Sequence, residues 1–347
     1  MTRSPRVASL VLLSAVTLSA CGGSGPATVT GPASPAAALS ASPAPTSTRP
    51  AALWALTGLP MPDGVSALPT VSVKIDNAPA ARPQSGLNQA DLVFECLVEG
   101  GLSRFLAVFD SQSPSLVGPI RSARPVDAAL LRALQGGIFA YSGAAEGEIA
   151  PVRASSRAFL LSRDRTPRPF FLRAGRSAPQ NIYASIEDLR SEAGSAGSAQ
   201  PAPQPLFSYG PPTAGAAAVA SAALVVGGQS TSQWTWQGGS WVRQQEGRPH
   251  LMADSAQVTA NNVVVMHVRV TGSGIRDAAH NEDPYVLATG SGRAEVLRDG
   301  VLQRGTWSRA TMASPYAFVS DAGQPMTLTP GRTWIELIPT SGRSTYS

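Results

Sequence analysis

Residues 74–109 read KIDNAPAARPQSGLNQADLVFECLVEGGLSRFLAVF, and this stretch carries most of the strand signals in the first half of the chain. Apolar and polar residues alternate over 71–75, and two apolar runs follow over 91–98 and 104–109. Short runs of this kind, rich in β-branched and aromatic residues, are typical of β-strands. We therefore expect three strands here, separated by polar loops.

The residues that follow add helical signals. Three further elements are predicted, namely a helix over 126–134 that Pro125 opens, a strand over 137–141, and a short helix over 182–189 that Asn181 caps. Strands combined with helices in this way predict a mixed α/β domain. We place this domain at 53–190.

Beyond residue 190 the composition and the hydrophobic period both change. Residues 191–205 read SEAGSAGSAQPAPQP, which predicts a linker or a long exposed loop. Apolar residues then recur with a period of two, and the glycines of Gly238-Gly239 and Arg298-Asp299-Gly300 predict hairpin turns. We expect a mostly antiparallel β domain over 206–340 and a short tail at 341–347. The predicted strands of this part cover 234–244, 262–270, 285–289, 293–297, 301–307, 317–320 and 333–338. The predicted fold class is α+β, with the mixed α/β domain first.

The N-terminus predicts export and lipidation. Arg3 and Arg6 precede an uncharged apolar run that is shorter than the roughly 20 residues of a spanning helix. The run ends in Leu18-Ser19-Ala20-Cys21, the lipobox pattern, so residues 1–20 are a predicted signal peptide. Cys21 would then carry diacylglycerol and palmitate and hold the protein to the cell membrane or the outer membrane, on the extracytoplasmic side. An ordinary secretory signal with a chance cysteine is the alternative.

Residues 21–52 are almost entirely Ala, Ser, Pro, Thr and Gly. Such a stretch has little to bury, so we predict a disordered tether between the lipid and the folded part.

Charge and cysteine content exclude several classes of protein. The net charge is +5, Lys74 is the only lysine, and no basic run with interleaved aromatic residues occurs, so we predict no nucleic-acid partner. After lipidation of Cys21, Cys96 is the one remaining thiol, and its apolar surroundings predict a buried small side chain rather than a nucleophile.

Several of these motifs resemble those of the YerB-like bacterial lipoproteins. The resemblance rests on the stretch 74–109 quoted above, on GPIRSARP at 118–125, on the NVVV strand that begins at Asn262, on DGVLQRGTW at 299–307 and on LTPGRTWIELIP at 328–339. It covers nearly all of the chain after residue 53. It implies a lipid-anchored envelope protein with a domain of unknown function and its C-terminal partner domain, and it implies no particular enzyme activity. Relatives often carry His-Ser-Gly where this chain has Tyr141-Ser142-Gly143, so a chemical role of that histidine is in doubt here.

Polar residues of the first half fall at strand ends and in loops, where α/β sheets bind ligands. The candidate ligand-binding residues are Asp76, Asn77, Arg82, Gln84, Arg104, Arg121, Ser122 and Arg124. Arg121 and Arg124 are suited to hold an anionic group by bidentate contacts.

Three acidic residues are candidates for catalysis. Glu95 and Glu99 are four residues apart, so a continuous strand would place both on one face, with Asp76 as a partner. One of them would act as general acid or base in the manner of a glycoside hydrolase. The alternative is that these carboxylates form internal ion pairs, for example Glu95 with Arg104 across two strands.

No motif predicts a metal or a cofactor. The three histidines all lie in the second half, and no HExxH or paired CxxC spacing occurs. Five of the six tryptophans also lie there, and they are expected in the core, with stacking on a ligand as the alternative.

Three functions remain open from the sequence. We favour a non-enzymatic envelope module that binds a cell-wall polymer or an envelope protein. The alternatives are a cell-wall or glycan hydrolase that uses the paired carboxylates, and a structural or assembly factor without a small ligand.

Overall fold

A computed structural model describes Gly31 and residues 52–276 and 280–347 of the 347-residue chain. The predicted signal peptide, the lipobox with Cys21, and all of the predicted tether except Gly31 and Ala52 lie outside the described residues. Within those residues, no helix is both long and apolar enough to cross a membrane.

The described residues form three α-helices and many short strands. The helices are Val126–Ala133 (α1), Glu146–Ser155 (α2) and Ile186–Ser195 (α3). The strands of the first half are Val71–Asp76 (β1), Leu92–Leu97 (β2), Ser103–Phe109 (β3), Ile138–Tyr141 (β4), Phe159–Ser162 (β5), Phe170–Leu172 (β6) and Ile182–Ala184 (β7). Those of the second half are Ala217–Ala218 (β8), Ser221–Gly227 (β9), Ser230–Gln237 (β10), Ser240–Gln245 (β11), Arg248–Pro249 (β12), Thr259–Ala260 (β13), Asn262–Val268 (β14), Val270–Arg276 (β15), Glu282–Val286 (β16), Gly290–Arg298 (β17), Val301–Arg309 (β18), Ala317–Ser320 (β19), Thr333–Pro339 (β20) and Ser344–Tyr346 (β21).

Both halves of the chain contribute to one central sheet of 11 strands. Its order is β19-β18-β17-β14-β20-β2-β3-β1-β4-β5, with β8 beside β18. The two halves meet where β2 and β20 pair in parallel, with Leu92 opposite Thr333 and Cys96 opposite Leu337. Backbone hydrogen bonds therefore run across the boundary that the sequence places between two domains.

The central sheet is covered on both faces. Helices α1 and α2 pack on one face, where Phe94, Leu106 and Leu130 lie in the same apolar core. A second sheet of six strands, in the order β12-β11-β10-β9-β21 with β13 beside β11, packs on the other face together with α3. Trp234 of the second sheet and Trp334 of the central sheet meet in this core, with ring centroids 5.4 Å apart.

Strand makes up 42% and helix 13% of the structure, which fits an α+β or mostly β fold. The three strands, the first helix and the two hairpins expected from the sequence are confirmed within a few residues. Both hairpin turns have two residues with positive φ, as in Asp299 at 48° and Gly300 at 71°, the geometry of a tight hairpin whose twist matches that of its strands.

The region after residue 180 differs from the prediction. Residues Ile182–Ala184 form the strand β7, and the helix begins only at Ile186, because the side chain of Ser185 rather than Asn181 caps it by accepting a hydrogen bond from Asp188 N. Helix α3 ends at Ser195 and so includes the first residues of the stretch that was expected to be a linker. The expected tail at 341–347 contributes β21, which pairs with β9.

Candidate functional site

The candidate residues lie on two opposite faces of the central sheet. Asp76 and Arg104 are directly opposite each other in β1 and β3, on the face that α1 covers. Glu95 points to the other face, toward the six-stranded sheet, where Asn77 and Gln84 also contribute hydrogen bonds. The candidate residues, which the sequence predicted to form one site, are thus divided between two separate polar clusters.

We call the first the helix-side cluster. Its members are Asp76, Glu99, Arg104, Arg121, Arg124, Glu148 and Asp283. Glu99 accepts a hydrogen bond of 2.7 Å from Arg104 and one of 2.8 Å from Arg124 Nε. Burial alone would raise the pKa of Glu99, but the hydrogen bonds and the charge of these two arginines lower it to about 2. Glu99 is therefore an ionised anchor for two arginines.

The other charges of this cluster are also paired. Arg121 Nε lies 3.3 Å from Asp76 Oδ2, and Arg124 lies 3.0 Å from Glu148 and 3.3 Å from Asp283. Ser122 contributes its backbone carbonyl, which accepts a hydrogen bond from Arg104. Burial raises the pKa of Asp283 to about 7. The arginines that were expected to hold an anionic ligand are thus already surrounded by the carboxylates of the protein itself.

We call the second group the inter-sheet cluster. It comprises Asn77, Glu95, Ser103, Ser230, Arg243, Gln245, His250 and Glu336, between the central sheet and the six-stranded sheet. Glu95 accepts hydrogen bonds of 2.5 Å from both Ser103 Oγ and Arg243. Its side chain and that of Arg243 are completely buried. The ion pair therefore belongs to the interior and is closed to a polymeric substrate.

Two expectations about the acidic residues are wrong. Arg104 does not pair with Glu95, because the register places it opposite Cys96 and so on the other face of the sheet. Glu95 and Glu99 do not share a face, because β2 ends at Leu97 and Glu99 lies in a 3-10 turn. Strand β2 ends one residue before the predicted end at Val98, and the 3-10 turn that follows places Glu99 away from the face of Glu95.

Glu336 of β20 places a second carboxylate beside Glu95. It is directly opposite Glu95 in the parallel pair and accepts hydrogen bonds of 2.9 Å from Ser232 Oγ and Trp234 Nε1. Burial, followed by the negative charge of Glu95, raises the pKa of Glu336 to about 8. The raised pKa keeps Glu336 largely protonated at neutral pH, and Arg243 lies beside both carboxyl groups as the counter-charge.

His250 connects this cluster to the surface. Its Nδ1 lies 2.6 Å from an Arg243 nitrogen, and its Nε2 lies 2.9 Å from Gln84 Oε1. Burial and the charge of Arg243 lower the pKa of His250 well below its usual range, so the ring is neutral. Because an arginine only donates, Nδ1 accepts and Nε2 carries the proton that His250 donates to Gln84.

A cavity of about 660 Å³ opens next to His250. It is lined by Pro79, Arg82, Pro83, Gln245, Glu246, Arg248, Pro249, His250, Leu251, Met252, Ala253 and Ser255. At this cavity Arg82 makes two hydrogen bonds of 2.8 Å to the carboxylate of Glu246. A second cavity of about 410 Å³ also has Met252 and Ala253 in its wall, so the two adjoin.

Sequence reasoning identified three residues near this cavity and missed three others. Asn77, Arg82 and Gln84 were candidates, and the structure brings them together through hydrogen bonds to Asn77 Oδ1 from the other two. The missed residues are Arg243, Glu246 and His250. The alternation of β11 offers one signal, because Trp241, Arg243 and Gln245 share a face of the strand. The neighbouring sequence does not show that this face is the buried one.

The remaining reactive groups are explained by the core. Cys96 is fully buried, and burial raises the pKa of its thiol to about 12. The thiol therefore stays neutral and packs as a small apolar side chain. The structure, over the residues that it describes, holds no group of three or more His, Cys, Asp or Glu suited to bind a metal ion. Trp234, Trp241, Trp307 and Trp334 are all buried, which confirms the core assignment for these four.

Comparison with known proteins matches both halves of the chain. The N-terminal domain of the protein family of unknown function DUF3048 matches residues 56–199, and its C-terminal domain matches residues 222–335. A Bacillus subtilis (strain 168) protein named "Putative lipoprotein YerB" is 36% identical over 138 residues, which are 40% of this chain and 41% of that protein. The match thus spans about two fifths of the relative's length.

The crystal structure of the YerB protein from Bacillus subtilis is similar in fold. It superimposes with a TM-score of 0.71 at 24% identity and covers 85% of this chain and 99% of the solved one. At this identity the likeness concerns the fold alone. The two domain matches and the sequence relative show the family: the chain belongs to the YerB-like family.

Proposed function

We propose that this protein is an envelope lipoprotein, anchored through Cys21 on the extracytoplasmic side of a membrane, that binds a cell-wall component or an envelope protein without catalysing a reaction. The lipobox and the name of the Bacillus subtilis relative support the anchor. The lipid would hold the protein at the membrane while the folded part meets its ligand.

The observation that carries the binding function is the cavity beside His250. Its volume of about 660 Å³ falls within the roughly 300–1,000 Å³ of typical ligand pockets. Its wall combines apolar side chains with the charges of Arg82 and Glu246. Beneath it, the hydrogen bonds of the inter-sheet cluster hold His250 and Gln84 in place. The adjoining second cavity gives room for an extended ligand such as a peptide or a polymer.

The contacts of the three candidate catalytic residues favour binding over hydrolysis. A general acid needs a pKa near the working pH and access to the substrate. Glu95 is fully buried, Glu99 is bound to two arginines with a pKa of about 2, and Asp76 is paired with Arg121. Each of these carboxyl groups is thus held by an arginine of the protein itself rather than free to act on a substrate.

The anchor is tested by metabolic labelling with radioactive palmitate. We expect the full chain to incorporate label and to sediment with membranes, and Cys21→Ala to do neither. Accessibility to a protease added to intact spheroplasts tests the side of the membrane. Label that persists in Cys21→Ala, or protection from the protease, would contradict the anchor as proposed.

The binding site is tested by filling the cavity. Ala253 lines both cavities and is exposed, so Ala253→Trp should block them without touching the core. We expect the full chain in detergent to sediment with purified peptidoglycan, or to crosslink to an envelope protein in membranes, and Ala253→Trp to lose that interaction. Ala313→Trp, an equal change at an exposed position outside these cavities, is the matched control. Binding that both variants retain would move the site elsewhere.

A further inference from the structure

The guanidinium of Arg82 is held from two sides by different kinds of partner. On one side Asn77, which is buried, accepts a hydrogen bond of 3.2 Å from Arg82 Nε at its side chain and one of 2.7 Å at its backbone carbonyl. On the other side the carboxylate of Glu246 binds both terminal nitrogens. Arg82 therefore keeps its orientation through Asn77 even when Glu246 moves away.

Glu246 is the weaker of the two partners. Its side chain is 33% exposed, and an ion pair with this much solvent access contributes little net stability. Glu246 and Gly247 form the two-residue turn between β11 and β12, with φ angles of 52° and 74°. A left-handed conformation is unfavourable for glutamate, and asparagine or glycine is the usual residue there. The turn thus carries a carboxylate where turn geometry alone would select another residue.

The charges of the cavity wall depend on where this carboxylate lies. Among the residues that line the cavity, Arg82 and Arg248 are cationic and Glu246 is the acid, while His250 is neutral. When Glu246 turns toward solvent, the wall presents two positive charges and no negative one. Pro79, Pro83 and Pro249 provide rigid apolar surface beside them.

We propose that the cavity binds the terminal carboxylate of a short peptide, which replaces Glu246 on the fork of Arg82. The inference rests on the proposed binding function of this cavity and names the ligand class. Planar carboxylate oxygens match the two parallel N–H groups of an arginine, and Glu246 now occupies that geometry. Glu246 is then a built-in competitor that lowers affinity until a ligand carboxylate displaces it.

The test uses calorimetric titration of the full chain in detergent micelles with N-acetyl-trialanine, as the free acid and as the C-terminal amide. We expect the acid to bind at least tenfold more tightly than the amide. Glu246→Gln removes the competing charge and should bind the acid several-fold more tightly than the wild type. Arg82→Gln should bind acid and amide equally. Glu146→Gln neutralises an exposed acid on α2 that pairs with Arg153 and is the matched control, with unchanged affinity.

Three results would overturn the inference. They are equal binding of acid and amide by the wild type, weaker binding of the acid by Glu246→Gln, and competition by inorganic phosphate as strong as that by acetate, which would indicate a general anion site. Because Glu246 is on the surface, its variant tests the idea even where Arg82→Gln misfolds. The two proposals can fail separately. If Ala253→Trp loses peptidoglycan or partner binding while the tripeptide acid and amide bind equally, the proposed function stands and only the recognition of a terminal carboxylate is rejected.

Discussion

Arg243 has an unusual set of neighbours for a charged residue. Its guanidinium carbon lies 4.8 Å from the ring centre of Trp334, 5.5 Å from that of Phe105 and 5.7 Å from that of Trp234. A weakly hydrated, planar cation tolerates such surroundings better than an ammonium group does. It still needs a counter-charge, and Glu95 supplies one at 2.5 Å. The two sheets are thus joined by an ion pair set within aromatic packing.

The carboxyl group of Glu336 makes stability depend on pH. Its pKa in the folded protein, about 8, is above the 4.5 of an ordinary glutamate, so between these values the folded state holds more protons than the unfolded state. Stability is therefore greatest below about pH 5 as far as this group is concerned, and it falls as the pH rises toward 8. In Glu336→Gln an amide imitates the protonated acid, so we expect the loss between pH 5 and pH 8 to shrink by roughly 2–4 kcal/mol.

Urea unfolding followed by tryptophan fluorescence at a series of pH values measures this difference. Asp110 and Asp283 also have pKa values raised to about 7 by burial, so some pH dependence should remain in the variant. Asp283→Asn is the comparison that separates the two clusters. Parallel stability curves of wild type and Glu336→Gln over this range would contradict a raised pKa of Glu336 in the folded protein.

At the level of single residues, the sequence showed which side chains are polar and near strand ends but not which face they occupy. Asn77, Arg82 and Gln84 were identified because a loop that follows a strand is local information. The partner of Glu95 was not, because Arg243 is 148 positions away. The pairing of each carboxylate with an arginine depends on the register of the strands. A shift of one residue in that register would move every side chain of a strand to its other face.

Turns are the elements that the sequence predicted best, and they allow a matched test. Gly239 and Gly300 occupy the same second position of two hairpin turns, with φ angles of 81° and 71°. A Cβ at Gly239 would meet nothing within 4 Å, whereas one at Gly300 would lie 2.8 Å from Trp236 Nε1. The two glycines therefore share the backbone requirement and differ in the space around them.

We expect Gly239→Ala to lower the free energy of unfolding by about 1 kcal/mol, the cost of a left-handed alanine. Gly300→Ala should cost about 1–3 kcal/mol more, because Trp236 must also shift. Urea unfolding of both variants checks the difference, and the emission of Trp236 should change only in Gly300→Ala. Equal losses of stability would mean that Trp236 moves aside freely.

Elements with mixed signals were predicted poorly. Helix α2 contains Pro151 and only three buried residues, so no strong helical period is visible in its sequence. Strand β7 and helix α3 are separated by a single residue, Ser185, and the sequence pattern merged them. In both cases packing against the sheet outweighs local preference, as is usual for short elements.

On the scale of the whole molecule, the main feature that local patterns could not predict is the pairing of β2 with β20. Leu92 and Thr333 are paired although most of the chain lies between them in sequence. The local residue preferences of one strand do not indicate which other strand it pairs with. The two sequence halves do differ in composition, as expected, with helices in the first and none among the described residues of the second. They nevertheless share one hydrogen-bonded sheet and both of its apolar faces.

A shared sheet predicts that the two halves unfold together. Separate domains would show two transitions, but strands that lie side by side in one sheet lose their hydrogen bonds and buried surface at the same time. Two kinds of residue can serve as probes for the two halves of the chain. Five of the six tryptophans are in the second half, and Cys96, buried in β2, is the sole thiol of a Cys21→Ala variant.

We expect the tryptophan signal and the pulse-labelling of Cys96 by a thiol reagent to give the same midpoint in urea. Ile335 of β20 is 1% exposed and lies opposite Phe94 in β2, so Ile335→Ala should remove about 2–5 kcal/mol and lower both midpoints equally. A control variant, Val319→Ala, changes an exposed side chain on the edge strand β19 and should leave both in place. If Ile335→Ala lowered the tryptophan midpoint alone, the first half would have to hold β2 without β20, and the boundary seen in the sequence would be a boundary of folding as well.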